Sequence, residues 1–243
     1  MTAPVLSGTT NFNPVLNEVV EEAFERCGAE IRSGYDFRTA ARSLNLLFMD
    51  WANRGINLWT MDLSYQQALL PGVATYYLPS DTVDLLDHVI RTGSDTTQQD
   101  INITRISSST YLMIPNKNAT GRPIQVWINR LSGQTDAAGS TTTYQPTITV
   151  WPTPDTSTQY TFVATRLRRI QDAGTGINIQ DMSFRFWPAM MSGLAYMLSL
   201  KIPGAMERTV MLKEMYEEDW QRAADEDREK AAVRFVPRET FLR

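Results

Sequence analysis

Apolar residues recur along this chain with two different periods. Near the N-terminus the spacing is helical: Val15, Leu16, Val19, Val20, Ala23, Phe24 and Cys27 fall on one face, with Glu18, Glu21, Glu22 and Glu25 on the others. Asn13-Pro14 ahead of them reads as a cap followed by a first-turn proline. A second stripe of Phe37, Ala40, Ala41, Leu44, Leu47, Phe48 and Trp51 predicts a helix from about Asp36 to Asn53, with Gly55 placed to end it. The spacing predicts two further helices near the C-terminus. Asp181 to Ile202 is apolar around most of its circumference and stops at Pro203-Gly204. Ala205 to Ala232 carries a narrower stripe of Leu212, Tyr216, Trp220, Ala223 and Ala224.

Between these blocks the period falls to two. Ser64 to Leu70 and Val73 to Leu78, joined by Pro71-Gly72, read as a hairpin. Leu85 to Arg91, Thr96 to Ile103, Ile124 to Asn129, Thr147 to Trp151 and Tyr160 to Leu167 read as further strands, with a short helix capped by Ser107 running to Met113. The fold class expected is α+β. N- and C-terminal helices form a bundle, an antiparallel β-sandwich or barrel-like domain is inserted, and an extended tail follows. The expected divisions are 1–61, 62–178, 179–233 and 234–243. The polar segment 132–143 is expected to be an exposed loop.

Composition narrows the function classes. With 42% apolar, 21% charged and 10% aromatic residues in 243, the chain is ordinary globular protein. One Cys excludes an internal disulfide, and one His with one Cys excludes a His/Cys metal cluster, so no metal or cofactor is expected. No signal peptide pattern is visible, and the apolar stretch Phe186 to Leu200 is too short for a membrane span. The net charge of −4 argues against nonspecific DNA binding.

That charge is unevenly spread. The last helix holds nine acids and five bases, while Arg91 to Ile170 carries eight bases against four acids. Arg166, Arg168 and Arg169 cluster at one strand end. Together with Glu214, Glu217 and Glu218 they are the candidate surfaces for contact between copies or for a channel lumen. The terminal segment Arg234, Phe235, Val236, Pro237, Arg238, Phe241, Leu242 and Arg243 is basic and apolar, and suits docking on another chain.

Candidate chemistry is sparse. His88 reads as an ordinary strand residue, since no G-x-S-x-G elbow accompanies it. Cys27 reads as a buried thiol on an apolar stripe. Asp81, Asp84 and Asp87 could supply paired carboxylates for glycoside hydrolysis, but read better as turn residues. Gly174-Thr175-Gly176 lacks the context of a nucleotide loop.

Several short motifs recur in a familiar order. They include Arg42-Ser43-Leu44-Asn45-Leu46-Leu47, Asn53-Arg54-Gly55-Ile56-Asn57-Leu58-Trp59, Tyr76-Tyr77-Leu78-Pro79, Asp84-Leu85-Leu86-Asp87, Ile114-Pro115-Asn116-Lys117 and Gly121-Arg122-Pro123. Then come Trp151-Pro152-Thr153-Pro154, Arg168-Arg169-Ile170-Gln171-Asp172, Trp187-Pro188-Ala189, Gly193-Leu194-Ala195-Tyr196 and Arg234-Phe235-Val236-Pro237. In this order, from Pro14 to Pro237, the chain resembles the head-to-tail adaptor proteins of short-tailed phages, the group that includes tail tubular protein A. The resemblance implies a non-enzymatic neck protein of the virion, assembled in the host cytoplasm as a twelve-fold ring. Its partners would be other copies, the portal protein, the tail nozzle or tube and tail fibres, with no membrane contact. The C-terminal tail would reach the portal, and DNA would pass through the lumen without specific binding. A virion-associated cell-wall hydrolase and a nozzle or fibre connector are the alternative readings.

Overall fold

The computed structural model describes residues 12–55, 58–130 and 145–228, which form five α-helices and two four-stranded sheets. The chain divides into two compact units. Residues up to Asn53 and from Asp172 onward make a helical unit, and Arg54–Gln171 make a β-rich one. The stretch from Asp172 to Asn178, expected with the strands, belongs to the helical unit. Its backbone meets the first helix, with Leu16 and Asn17 donating to the carbonyls of Asn178 and Gly176.

In the helical unit α1 (Leu16–Cys27) begins two residues later than expected, with Val15 and not Asn13 at the cap position. Glu18 reaches back to accept from the Val15 amide at 3.0 Å, so Asn13 does not cap the helix. α2 (Gly34–Arg54) buries Ala40, Ser43, Leu44, Leu47, Phe48 and Trp51. α4 (Trp187–Ser199) starts six residues later than expected, because Phe184–Phe186 form a 3-10 turn and Pro188 suits only a first turn. It is buried nearly all round, and its Ser192 and Ser199 hydroxyls donate to carbonyls one turn back, which removes the cost of burying them. α5 (Thr209–Glu226) is shorter than the expected 205–232 at both ends. A 3-10 turn, Met206–Arg208, precedes it, and Asp227 has left helical geometry.

Two features bring these helices close. Gly193 of α4 faces Leu47 and Tyr216; a Cβ there would lie 2.9 Å from both side chains, so only glycine permits the approach. Beside it, Trp51 packs against Phe48, Phe186 and Trp220, with ring centroids 6.0, 5.7 and 4.8 Å away. Its indole N–H donates to the Tyr216 hydroxyl at 2.9 Å. The fully buried indole therefore has no unmet polar atom.

In the β-rich unit the first sheet has strand order β1 (Met61–Leu69), β8 (Tyr160–Arg168), β3 (Thr82–Thr92), β4 (Gln99–Asn102), all antiparallel. The second has order β2 (Thr75–Tyr77), β7 (Thr147–Trp151), β6 (Gln125–Asn129), β5 (Thr104–Ile106). Three expectations need correction here. Pro71-Gly72 makes the predicted turn, with Val73 donating to the Leu70 carbonyl and Gly72 at φ 78°, but β1 and β2 do not pair. The turn hands the chain from one sheet to the other, and the buried Tyr76 hydroxyl locks it by bonding the backbone of Leu70 and Val73. The sheets are not wholly antiparallel: β5 and β6 run parallel, joined by a connection that contains α3 (Ser108–Leu112). No barrel closes among the described residues, since each sheet keeps two edge strands. Side chains of both sheets, among them Leu69, Ile90, Val126, Ile148, Tyr160 and Phe162, make one buried cluster.

No helix among the described residues is long and apolar enough to cross a membrane. Trp51→Ala is expected to lower the unfolding free energy by about 3–5 kcal/mol. Tyr216→Phe, which strands the indole N–H, is expected to cost about 1–3 kcal/mol. Urea denaturation followed by tryptophan fluorescence measures both.

Candidate functional site

The candidate surface residues lie on β8 and α5, and the structure separates them by role. Along β8 the alternation Tyr160, Phe162, Ala164 lines the buried face, and Arg166 is the next residue in that register. Arg166 is only 8% exposed, unlike the surface cation expected from its neighbours in sequence. Its guanidinium is matched by acceptors: Asp81 at short range, Asp62 at 3.3 Å and the Thr82 hydroxyl at 3.2 Å. It also lies over the Tyr65 ring. Arg168 instead holds the Trp59 carbonyl at 3.2 Å, and Arg169 is exposed. The three arginines therefore do not form one basic patch; one is a buried anchor, one a backbone clamp and one a surface charge.

The carboxylates suspected of catalysis are tied up in the same way. Asp81 belongs to Arg166. Asp84 accepts from Arg105 at 3.0 Å and from Arg130 at 2.9 Å, one arginine on each oxygen. Both oxygens of this carboxylate are therefore occupied by guanidinium partners. Asp87 is exposed on β3. Asp62 has its pKa held below the ordinary 3.8, first by the Ser64 amide and hydroxyl that donate to it, and also by Arg166.

His88 pairs with Ala164 across the sheet and stacks on Phe162, with centroids 6.2 Å apart. Burial pushes its pKa below the ordinary 6.5, against a smaller opposing effect of the Leu86 backbone. Cys27 donates its thiol to the Ala195 carbonyl at 3.1 Å, and burial pushes its pKa up to about 11. Gly174-Thr175-Gly176 forms a turn organised by Asn178, whose side-chain oxygen accepts from the amides of Thr175 and Gly176. Among the described residues no group of His, Cys, Asp and Glu could hold a metal ion.

α5 presents Glu214, Glu217 and Glu218 outward, opposite the buried Leu212, Tyr216, Trp220 and Ala223. Arg222 pairs with Glu218 and Asp219, and Arg228 pairs with Asp225 at 2.7 Å. The helix end is fixed by Arg185, which donates to the Glu226 carbonyl and pairs with the buried Asp227. A second exposed line was missed from sequence. Tyr35, Arg38, Arg42, Leu46 and Met49 run along the outer face of α2. Their own three-and-four spacing was the available signal, hidden because the apolar stripe beside it accounts for the helix. The docking tail Arg234 to Arg243 and the loop 132–143 lie outside the described residues.

No family model matches this chain, and no curated protein matches it.

Two outcomes check these assignments. Cys27 is expected to resist Ellman's reagent in the native protein at pH 8, where about one thiol in a thousand is ionised, and to react at once in denaturant. The Asp62 carboxylate is more acidic folded than unfolded, so its stabilisation is complete above 3.8 and is lost as pH falls through the lower folded value. Asp62→Asn is expected to flatten the acid limb of stability against pH below about 4, as read by urea midpoints.

Proposed function

We propose that this chain is a head-to-tail adaptor of a short-tailed phage, a structural neck protein that forms a ring between the portal and the tail nozzle or tube and leaves a channel for DNA. The observation that carries this reading is the combination of a β-rich unit inserted into a discontinuous helical one with carboxylates consumed by arginine pairs. The first is the organisation the resemblance implies. The second supports a scaffold over a hydrolase, because Asp81 and Asp84 are already committed.

In this reading the two sheets are the layers of a sandwich over their shared cluster, and α1, α2, α4 and α5 make up a bundle. The acidic outer face of α5, with Glu214, Glu217 and Glu218, and the exposed Arg169 are surfaces for neighbouring copies or the channel. An acidic wall would repel the DNA backbone and let it slide. The basic, apolar segment Arg234 to Arg243 docks on the portal.

Deleting Arg234–Arg243 tests the reading. The truncated chain is expected to keep the circular dichroism and urea midpoint of the full chain while losing co-sedimentation with portal rings. Retained binding would overturn the role of the tail. Symmetry-averaged imaging of the portal complex is expected to show adaptor density in contact with the portal; a position distal to it would favour a nozzle component.

A further inference from the structure

A cavity of about 510 Å³ in the helical unit is walled by α2 on one side and by the turn Gly174-Thr175 on the other. Its lining side chains offer donors and no carboxylate. From α2 come Arg38, Arg42 and Asn45, at steps of four and three that keep them on one side of the helix. Neither arginine makes a hydrogen bond or ion pair among the described residues. Asn45 turns its side-chain oxygen to the Ala173 amide at 2.8 Å, so its amino end is left to donate. Thr175 adds a hydroxyl, and Phe37 and Ala41 complete the wall.

The turn is held in this shape from within. Its backbone amides are already used: Thr175 and Gly176 donate to the Asn178 side-chain oxygen at 2.9 and 3.3 Å, and Gly174 donates to Asp172 at 3.2 Å. Gly176, at φ 126°, seats the turn on the helices. A Cβ there would lie 2.9 Å from the Asn17 side chain of α1 and 3.4 Å from the Phe37 ring. What lines the cavity is therefore a set of side-chain donors on a braced frame.

We propose that this cavity binds a carboxylate carried by an acidic segment of a partner protein. A guanidinium fork meets a carboxylate with two parallel hydrogen bonds, and here two forks stand one turn apart with an amide and a hydroxyl beside them. Phosphate shares that chemistry, and the surroundings decide between the two. A nucleic-acid backbone is tracked by a row of cations. The line of α2 through this cavity holds only two. It continues as Tyr35 on one side and as Leu46 and Met49 on the other, which are 68%, 49% and 52% exposed. Arginine, tyrosine and methionine are the residues enriched where proteins bind proteins. The partner segment therefore carries apolar residues on either side of its acid. The site is independent of the adaptor reading, which leaves this side of α2 unassigned.

The side-chain Nε–H resonances of Arg38 and Arg42 in the isotope-labelled full chain test it, assigned through Arg38→Lys and Arg42→Lys. Three probes are titrated separately: the capped peptide acetyl-Leu-Glu-Glu-Leu-amide, inorganic phosphate and oligothymidylate. The peptide is expected to move both resonances at the lowest concentration. Arg38→Lys and Arg42→Lys keep the charge and lose the fork. Each should weaken binding of the fluorescently labelled peptide, read by anisotropy, about tenfold. Arg169→Lys, at an exposed arginine of the other unit, should leave it unchanged. All three positions are exposed, and circular dichroism confirms that the variants fold. Phosphate or oligothymidylate acting at a lower concentration than the peptide overturns the carboxylate assignment in favour of a phosphate ligand. Resonances that no probe moves, or peptide binding indifferent to both lysine variants, overturn the site itself.

Discussion

The helical unit is made from two chain segments with a whole β-rich unit between them, and the indole of Trp51 is what joins them most firmly. Its rings sit among Phe48, Phe186 and Trp220, and its single donor is met by Tyr216, 165 residues away. Burying such a side chain removes about 150–250 Å² of surface from water, worth roughly 4–6 kcal/mol. That exceeds any single ion pair on the outer faces of these helices, where pairs contribute a few tenths to about one kcal/mol. The closeness of α4 to α2 and α5 at Gly193 follows from the same demand, because a larger residue would hold the aromatic groups apart.

Charge is organised differently in the two units. In the β-rich unit, arginines and aspartates distant in sequence meet across and between strands: Arg166 with Asp62 and Asp81, and Asp84 with Arg105 and Arg130. Arg166 continues the core-facing register of β8, so its partners are a condition of its being there at all. On α5 the pairs are local, three or four residues apart, and leave the outer face net acidic. The first arrangement fixes strands in place, whereas the second leaves charge available to outside partners.

Much of this was legible in the chain. The stripes of α1, α2 and α5 and the strands β6, β7 and β8 follow directly from spacing, because each is decided by neighbours within one or two turns or by simple alternation. Pairing was not legible. The chemistry of Pro71-Gly72 dictates that the chain reverses there, not which strand lies alongside afterwards, and Tyr76 turned it into the other sheet. The parallel β5–β6 pair and the partners of Asp84 depend on contacts far apart in sequence. Arg166 was the exception: extending the alternation from Tyr160 through Ala164 by one step would have placed it inward. The candidate surfaces on α5 were readable because a polar helical face needs no partner to be recognised; the roles of the arginines were not, since the partners of Arg166 and Arg168, namely Asp62, Asp81 and the Trp59 carbonyl, lie far off in the sequence.

The pairing of β1 with β8 bears on how such a chain reaches its final state. Met61 lies opposite Leu167 and Arg168 grips the Trp59 carbonyl, so the inserted unit holds its own entry and exit strands side by side. Once it has folded, the helical segments on either side are joined by a short tether instead of the whole span from Arg54 to Gln171. A tenfold shorter effective loop lowers the entropy of closure by roughly 2 kcal/mol. The insert thus works as a clasp for the helices that flank it.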